Sequence, residues 1–172
     1  MLDEENLGIK LDVSRGFYAL ADVSEEERRI LGREGYVYHK SLGLQANGSC
    51  RFLVKTRSNE TAEHALLCWM IAEIIRRKRR KPVLNPTCGV DVFAKIKGKR
   101  VGFEVETGNM LLHAGPKGPE KLKEKFLGRL TDCDRLIVVV TNRLLVRKYE
   151  KLLGFKVFTR TEIEKVVRDL FA

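Results

Sequence analysis

The chain has 172 residues, of which 44% are hydrophobic and 33% charged, a balance that excludes a disordered tail and suits one packed core with a small appendage. Its 33 Lys and Arg outnumber 23 Asp and Glu, for a formal net charge of +10, which favours a polyanionic partner, nucleic acid first and an anionic membrane surface second. No apolar run approaches the ~20 residues of a membrane helix, and the acidic start Met1-Leu2-Asp3-Glu4-Glu5 is no signal peptide, so a soluble cytoplasmic protein is expected. Abundant Lys, Arg and Glu beside the single Gln45 is a composition that thermophiles favour.

Residues 1–57 read as a small N-terminal α/β appendage. Leu7 to Leu20 has mixed strand character. Ser24-Glu25-Glu26-Glu27 forms a capping box that opens a short helix ending near Gly32. Tyr36-Val37-Tyr38 reads as a strand, Asn47-Gly48 as a turn, and Arg51 to Lys55 as the returning strand. A short helix followed by a β-ribbon with basic ends resembles the tail of a winged helix, although it is too short for a complete one.

Residues 58–172 carry the main domain. Asn59 or Thr61 caps a long helix that is expected to run to about Arg79. Leu66, Leu67, Met70, Ile71 and Ile74 fall on one broad apolar stripe, and Glu63 lies near its middle. Ala65 and Trp69 face roughly the opposite way, so the N-terminal segment is expected to cover that second side. The helix closes in Arg76-Arg77-Lys78-Arg79-Arg80-Lys81, with Pro82 as its terminator. Six consecutive cations exceed what solvating a helix end requires, and phosphate-backbone contact is the preferred reading.

The segment from Gly89 to Gly108 has the pattern of a β-hairpin. Val90, Val92 and Ala94 alternate with Asp91, Phe93 and Lys95, then Lys97-Gly98-Lys99 turns the chain. Val101, Phe103 and Val105 alternate with Gly102, Glu104 and Glu106. Asp91, Glu104 and Glu106 therefore converge near one end of an apolar hairpin. Holding three carboxylates together is costly unless a charge neutralises them, and a hard divalent cation suits oxygen donors. The alternative is a solvated acidic face.

Asp91, a turn and then Glu104-Val105-Glu106 resembles the PD-(D/E)XK nuclease superfamily, in which one strand carries an acid and the next carries acid-x-lysine. The resemblance covers roughly Asn59 to Asn142, with Glu106 in place of the usual lysine, and is nearest to nuclease-type domains of archaeal and mobile-element proteins. It implies a restriction-endonuclease-like α/β fold, a mixed central sheet flanked by helices, and a metal-dependent DNA endonuclease. Asp91, Glu104 and the backbone carbonyl of Val105 would hold Mg2+ or Mn2+. Glu63, on the first helix, would add an acid, as that helix often does in the family. Glu106 would orient or deprotonate the attacking water. The missing lysine would come from the next helix, with Lys125 first and Lys121 as substitute. A homodimer is one arrangement the resemblance allows. Two other readings keep the residues but change the role: a nuclease fold that binds DNA without turning it over, and a small mobile-element regulator built on the N-terminal segment.

Asn109 to Pro119 reads as a loop long enough to close over a substrate. Glu120 to about Leu130 is a helix with Leu122, Phe126, Leu127 and Leu130 on its apolar stripe, and Leu136 to Val140 a buried strand. A helix near Leu144–Leu152, a short strand at Lys156–Phe158 and a last helix capped by Thr159 or Thr161 complete the chain. Cys50, Cys68, Cys88 and Cys133 form no C-x-x-C pair and read as scattered thiols without a histidine at ligand spacing, so structural zinc is not expected.

Overall fold

Two β-sheets share one helix. In a computed structural model, which describes residues 11–44, 48–57, 60–84, 89–113 and 115–172, helix α2 (Ala62–Arg77) is apolar on almost every side, as a helix buried all round must be. Leu67, Cys68, Ile71, Ala72, Ile74 and Ile75 pack toward the larger sheet, while Ala65, Leu66 and Met70 pack toward the smaller one. The single expected stripe is thus split, and Leu66 and Met70 belong to its other side.

The smaller sheet contains β1 (Phe17–Ala19), β2 (Tyr36–Ser41) and β3 (Cys50–Lys55), antiparallel in the order β1-β3-β2. Helix α1 (Glu25–Arg33) starts with the expected capping box, Ser24 accepting from Glu27 N–H and Glu27 from Ser24 N–H. The sheet docks on α2 through Trp69, whose indole N–H donates to the Lys55 carbonyl at 3.0 Å. The boundary placed after residue 57 lies between β3 and α2, and α2 contributes to the cores on both of its sides.

The larger sheet has the order β4 (Val83–Leu84), β5 (Val92–Ile96), β6 (Lys99–Glu106), β7 (Arg135–Val140), β8 (Phe158–Thr159). The β4-β5-β6 portion is antiparallel and the β6-β7-β8 portion parallel, so the sheet is mixed. Lys97 and Gly98 both take positive φ, 49° and 81°, which gives the hairpin the turn twist its strands need. Helices α2 and α6 (Ile163–Phe171) cover one face, and α4 (Gly118–Asp132) and α5 (Val146–Leu153) the other. Among the described residues the chain is a mixed α/β protein with two sheets, and no helix is long and apolar enough to cross a membrane.

Several local expectations are corrected. Helix α3 (Asn109–His113) occupies the first half of the expected loop, because Met110 and Leu111 find apolar partners on the α4–α5 side. Leu127 and Leu130 are exposed, so α4 buries only Leu122 and Phe126 from its stripe. Helix α2 stops at Arg77, well before Pro82, in a left-handed cap at Arg79 with φ 56°. Arg80 N–H reaches the Ile75 carbonyl and Arg79 N–H the Arg76 carbonyl, the two bonds of a Schellman end. Glu162, rather than a threonine, is the N-cap of α6, and its carboxylate accepts the Thr159 N–H at 2.8 Å. Residues 7–10, Asn47, Asn59 and Cys88 lie outside the described residues.

Candidate active site on the hairpin

Asp91 directly precedes β5, and the register Val92↔Phe103 sets it across from Glu104. Its N–H donates to Glu104 Oε2 at 3.3 Å, and its own Oδ2 accepts the Val105 N–H at 2.7 Å. Because the N–H and C=O of a strand residue face the same neighbour, the Val105 carbonyl points to the Asp91 edge as well.

Glu104 and Glu106 project from β6 toward α4 and α5. They are 1% and 5% exposed, which removes the solvated acidic face as an explanation. The parallel neighbour β7 and the two helices close over that side of the strand, so its polar alternation points into the protein. Lys125 Nζ lies 2.5 Å from Glu104 Oε1 and 2.7 Å from Glu106 Oε1. Tyr149 donates its phenol to Glu106 Oε2 at 3.0 Å. Arg129 stands 3.7 Å from Glu104 Oε2, and its buried Nε has no hydrogen-bond partner. Lys125 and Arg129 thus provide much of the positive charge that three carboxylates demand. Lys121 and Lys123 are exposed.

The two partners of the central ion pair respond unequally. Burial opposes the Lys125 ammonium, but Glu104 and Glu106 together hold its pKa above the usual lysine range. Burial and then the Asp91 charge push the Glu104 carboxyl up, with Lys125 and Arg129 only partly offsetting them. The asymmetry follows from depth, since Glu104 is sealed while Lys125 keeps 28% of its side chain exposed. Burial and Glu106 likewise raise the Tyr149 phenol.

On the α2 side, Asp91 meets a histidine. His64 Nε2 lies 3.3 Å from Asp91 Oδ2, His64 Nδ1 lies 3.1 Å from Glu60 Oε2, and Cys68 Sγ is 3.8–3.9 Å from the ring nitrogens. Burial works against a charged His64, yet its contacts with Asp91 and Cys68 prevail and bring it to about 11. Burial lifts the Cys68 thiol to about 11. Among the described residues, His64, Cys68 and Asp91 are the donors gathered closely enough to share one ion, and the three hairpin carboxylates do not form such a group.

Glu63 does not join them. It pairs with His39 Nε2 at 2.6 Å and with Arg160, because one residue along a helix turns a side chain by ~100°, and the position facing Asp91 is held by His64. Glu63 and Arg160 line a cavity of about 760 Å³ with Thr141, Asn142, Arg143 and Thr159, beyond the carboxyl ends of β7 and β8. All six residues from Arg76 to Lys81 are exposed, with Arg76 and Arg77 close to Glu73 at 3.8 and 3.5 Å. His64 and Arg77 lie about 20 Å apart along the helix axis, so the basic run and the hairpin site sit near opposite ends of α2.

Comparison with protein families, curated proteins and solved structures finds no match to this chain. The site therefore rests on its own geometry. Sequence reasoning reached Asp91, Glu104, Glu106 and Lys125 but missed Glu60, His64, Cys68, Arg129 and Tyr149 as their neighbours. For His64 and Cys68 a signal existed, since four residues apart on a helix is a ligand spacing, contrary to the reading of scattered thiols. Arg129, four residues after Lys125, shares its helix face. Tyr149 carries no local signal, because only the packing of α5 brings it to β6.

Proposed function

We propose that the chain is a metal-dependent DNA endonuclease of the restriction-endonuclease-like kind, with its site at Asp91, Glu104, Val105 and Lys125. The observation that carries this reading is the placement of Lys125 on Glu104 and Glu106, next to the strand position facing Asp91. An acid on one strand, an acid on the next and a lysine brought in from a helix make up the constellation expected where Glu106 replaces the motif lysine. Asp91, Glu104 and the Val105 carbonyl offer hard oxygens on one edge, a donor set that fits Mg2+ or Mn2+. A divalent cation held there would supply positive charge for the scissile phosphate and would acidify a water molecule.

The chain's own groups have distinct tasks in this reading. Asp91 is fixed by the Val105 N–H, so its carboxylate is preorganised at the hairpin edge. Lys125 and Arg129 supply the charge that would stabilise a phosphate in the transition state. Tyr149 and Lys125 hold Glu106 in place, ready to orient water or accept its proton. The cavity at the strand ends, with Arg143 and Arg160, offers room for the nucleic-acid strand. The exposed run Lys78 to Lys81 would contact phosphates away from the cut.

A second reading is favoured by one observation: Glu104 is sealed and already balanced by Lys125 and Arg129. A site so neutralised suits a DNA-binding protein with weak or no turnover. Cleavage of plasmid, single-stranded and branched DNA with Mg2+, Mn2+ or chelator separates the two. The endonuclease reading expects cation-dependent cleavage that Asp91→Ala abolishes. Salt-sensitive DNA binding without cleavage would establish the second reading, and cleavage that survives Asp91→Ala or chelation would overturn the first.

A further inference from the structure

We propose that His64, Cys68 and Asp91 form a binding site for a thiophilic divalent ion of the zinc class, with Glu60 orienting the histidine. His64 and Cys68 lie one turn apart on α2, and Asp91 meets them from the residue before β5. The spacing matches the chemistry. His64 Nε2 is 3.3 Å from Asp91 Oδ2 and 3.9 Å from Cys68 Sγ, and all three donors lie within 4.8 Å of one another. A tetrahedral zinc ion, with bonds of about 2.0 Å to N and O and about 2.3 Å to S, places its N and O ligands about 3.3 Å apart and its N and S ligands about 3.5 Å apart.

The surroundings add the support that a metal-ligating histidine needs. Glu60 Oε2 lies 3.1 Å from Nδ1, while its Oε1 accepts the Arg57 N–H at 2.7 Å. With a fixed carboxylate on Nδ1, the ion takes the place of the proton that His64 Nε2 directs at Asp91, and the Cys68 thiol likewise gives up its proton to solvent on binding. The thiol decides the class of ion, because sulfur suits zinc and its neighbours, whereas Mg2+ and Ca2+ take oxygen. Three protein donors leave a fourth position open. This site lies on the α2 side of Asp91, uses neither Glu104 nor Lys125, and does not require the proposed cleavage activity.

The test is titration of the reduced full-length protein with Co2+, followed by absorption, then displacement by Zn2+. A thiolate-to-cobalt charge-transfer band with intense d–d bands at one equivalent is expected, and Zn2+ should bleach both. Cys68→Ser should remove the charge-transfer band, and Cys50→Ser and Cys133→Ser should keep it. Glu60→Gln should retain the band and weaken affinity by about 10–100-fold. His64→Gln provides a second loss-of-ligand variant should Cys68→Ser fail to fold, with folding checked by circular dichroism in metal-free buffer. A weak octahedral spectrum, no thiolate band, or a band that disappears with Cys50→Ser would overturn the site. Cleavage is not the readout, so loss of the endonuclease reading would leave the cobalt result standing, and the reverse also holds.

Discussion

Lys125 on α4 places its ammonium 2.5 Å from the Glu104 carboxylate on β6, and Glu104 is 1% exposed. The same nitrogen reaches Glu106 at 2.7 Å. One cation therefore serves two buried acids, which makes it the most exacting single position in the site. Lys125→Met should destabilise the protein by about 3–5 kcal/mol, the cost of leaving a buried charge without its partner. Adding Glu106→Gln should restore part of that loss. Urea denaturation of the two single variants and the double variant measures the coupling. Under the endonuclease reading, Lys125→Ala should also slow single-turnover cleavage by roughly 10²–10³-fold. Additive stability effects would show that the pair is not coupled.

The end of α2 separates backbone strain from charge. Arg79 has a left-handed φ of 56°, in the position glycine usually takes after a helix. Arg79→Gly should exceed Arg79→Ala in stability by about 1 kcal/mol, since both lose the same charge and only one relieves the strain. For DNA affinity the two should be alike. Replacing Arg79, Arg80 and Lys81 together should reduce the log–log salt slope by about 0.9 per lost phosphate contact. Arg76 and Arg77, which already face Glu73, should matter less. An unchanged slope in a filter-binding or anisotropy series would assign the whole run to solvation of the helix end.

Gly16 lies flat against Trp69, and a Cβ there would fall 1.7 Å from the indole Cδ2. Gly16→Ala should push the smaller sheet off α2 at a cost of roughly 3 kcal/mol or more. Trp69 is the single tryptophan of the chain, so its fluorescence reports the change directly. Deleting residues 1–57 would uncover Ala65, Leu66 and Met70, which pack on Phe52 and Val54. The deletion therefore removes part of the α2 core as well as any DNA-reading role. Native fluorescence and an unshifted melting temperature in Gly16→Ala would contradict this close packing.

The parallel pair β6–β7 is clamped at its start by Asp134, which accepts the Arg100 N–H at 2.7 Å and its guanidinium at 3.0 Å. The Arg100 backbone bond, then its side chain, lower the Asp134 pKa below the ordinary carboxylate value. A carboxyl depressed in the folded state contributes stability above its unfolded pKa of about 3.9, and that contribution fades as pH falls through the lower folded value. Asp134→Asn should therefore flatten the acid limb of the stability curve below about pH 4. Urea midpoints measured from neutral to acid pH test this, and parallel curves for wild type and variant would refute it.

The local elements were legible because each had a short-range cause. Ser24 and Glu27 cap α1 within one turn, Lys97-Gly98 turns the hairpin, and the alternation around Val92 and Phe103 sets Asp91 across from Glu104. Lys125 could be named only through the resemblance, which implies a lysine supplied from the helix after the hairpin, and α4 carries several. What the sequence could not decide was which way each polar face would turn. Period-2 alternation makes Glu104 and Glu106 look solvated, and only the docking of α4 and α5 buries them and brings in Tyr149 and Arg129. A helix apolar on all sides has no unique inward direction, so packing between two sheets sent Glu63 to His39 and Arg160 and turned His64 toward Asp91. Chain order determined the strands and the helices. The tertiary structure alone decided which charges met, because those contacts join residues far apart in sequence and depend on how each helix is turned about its own axis.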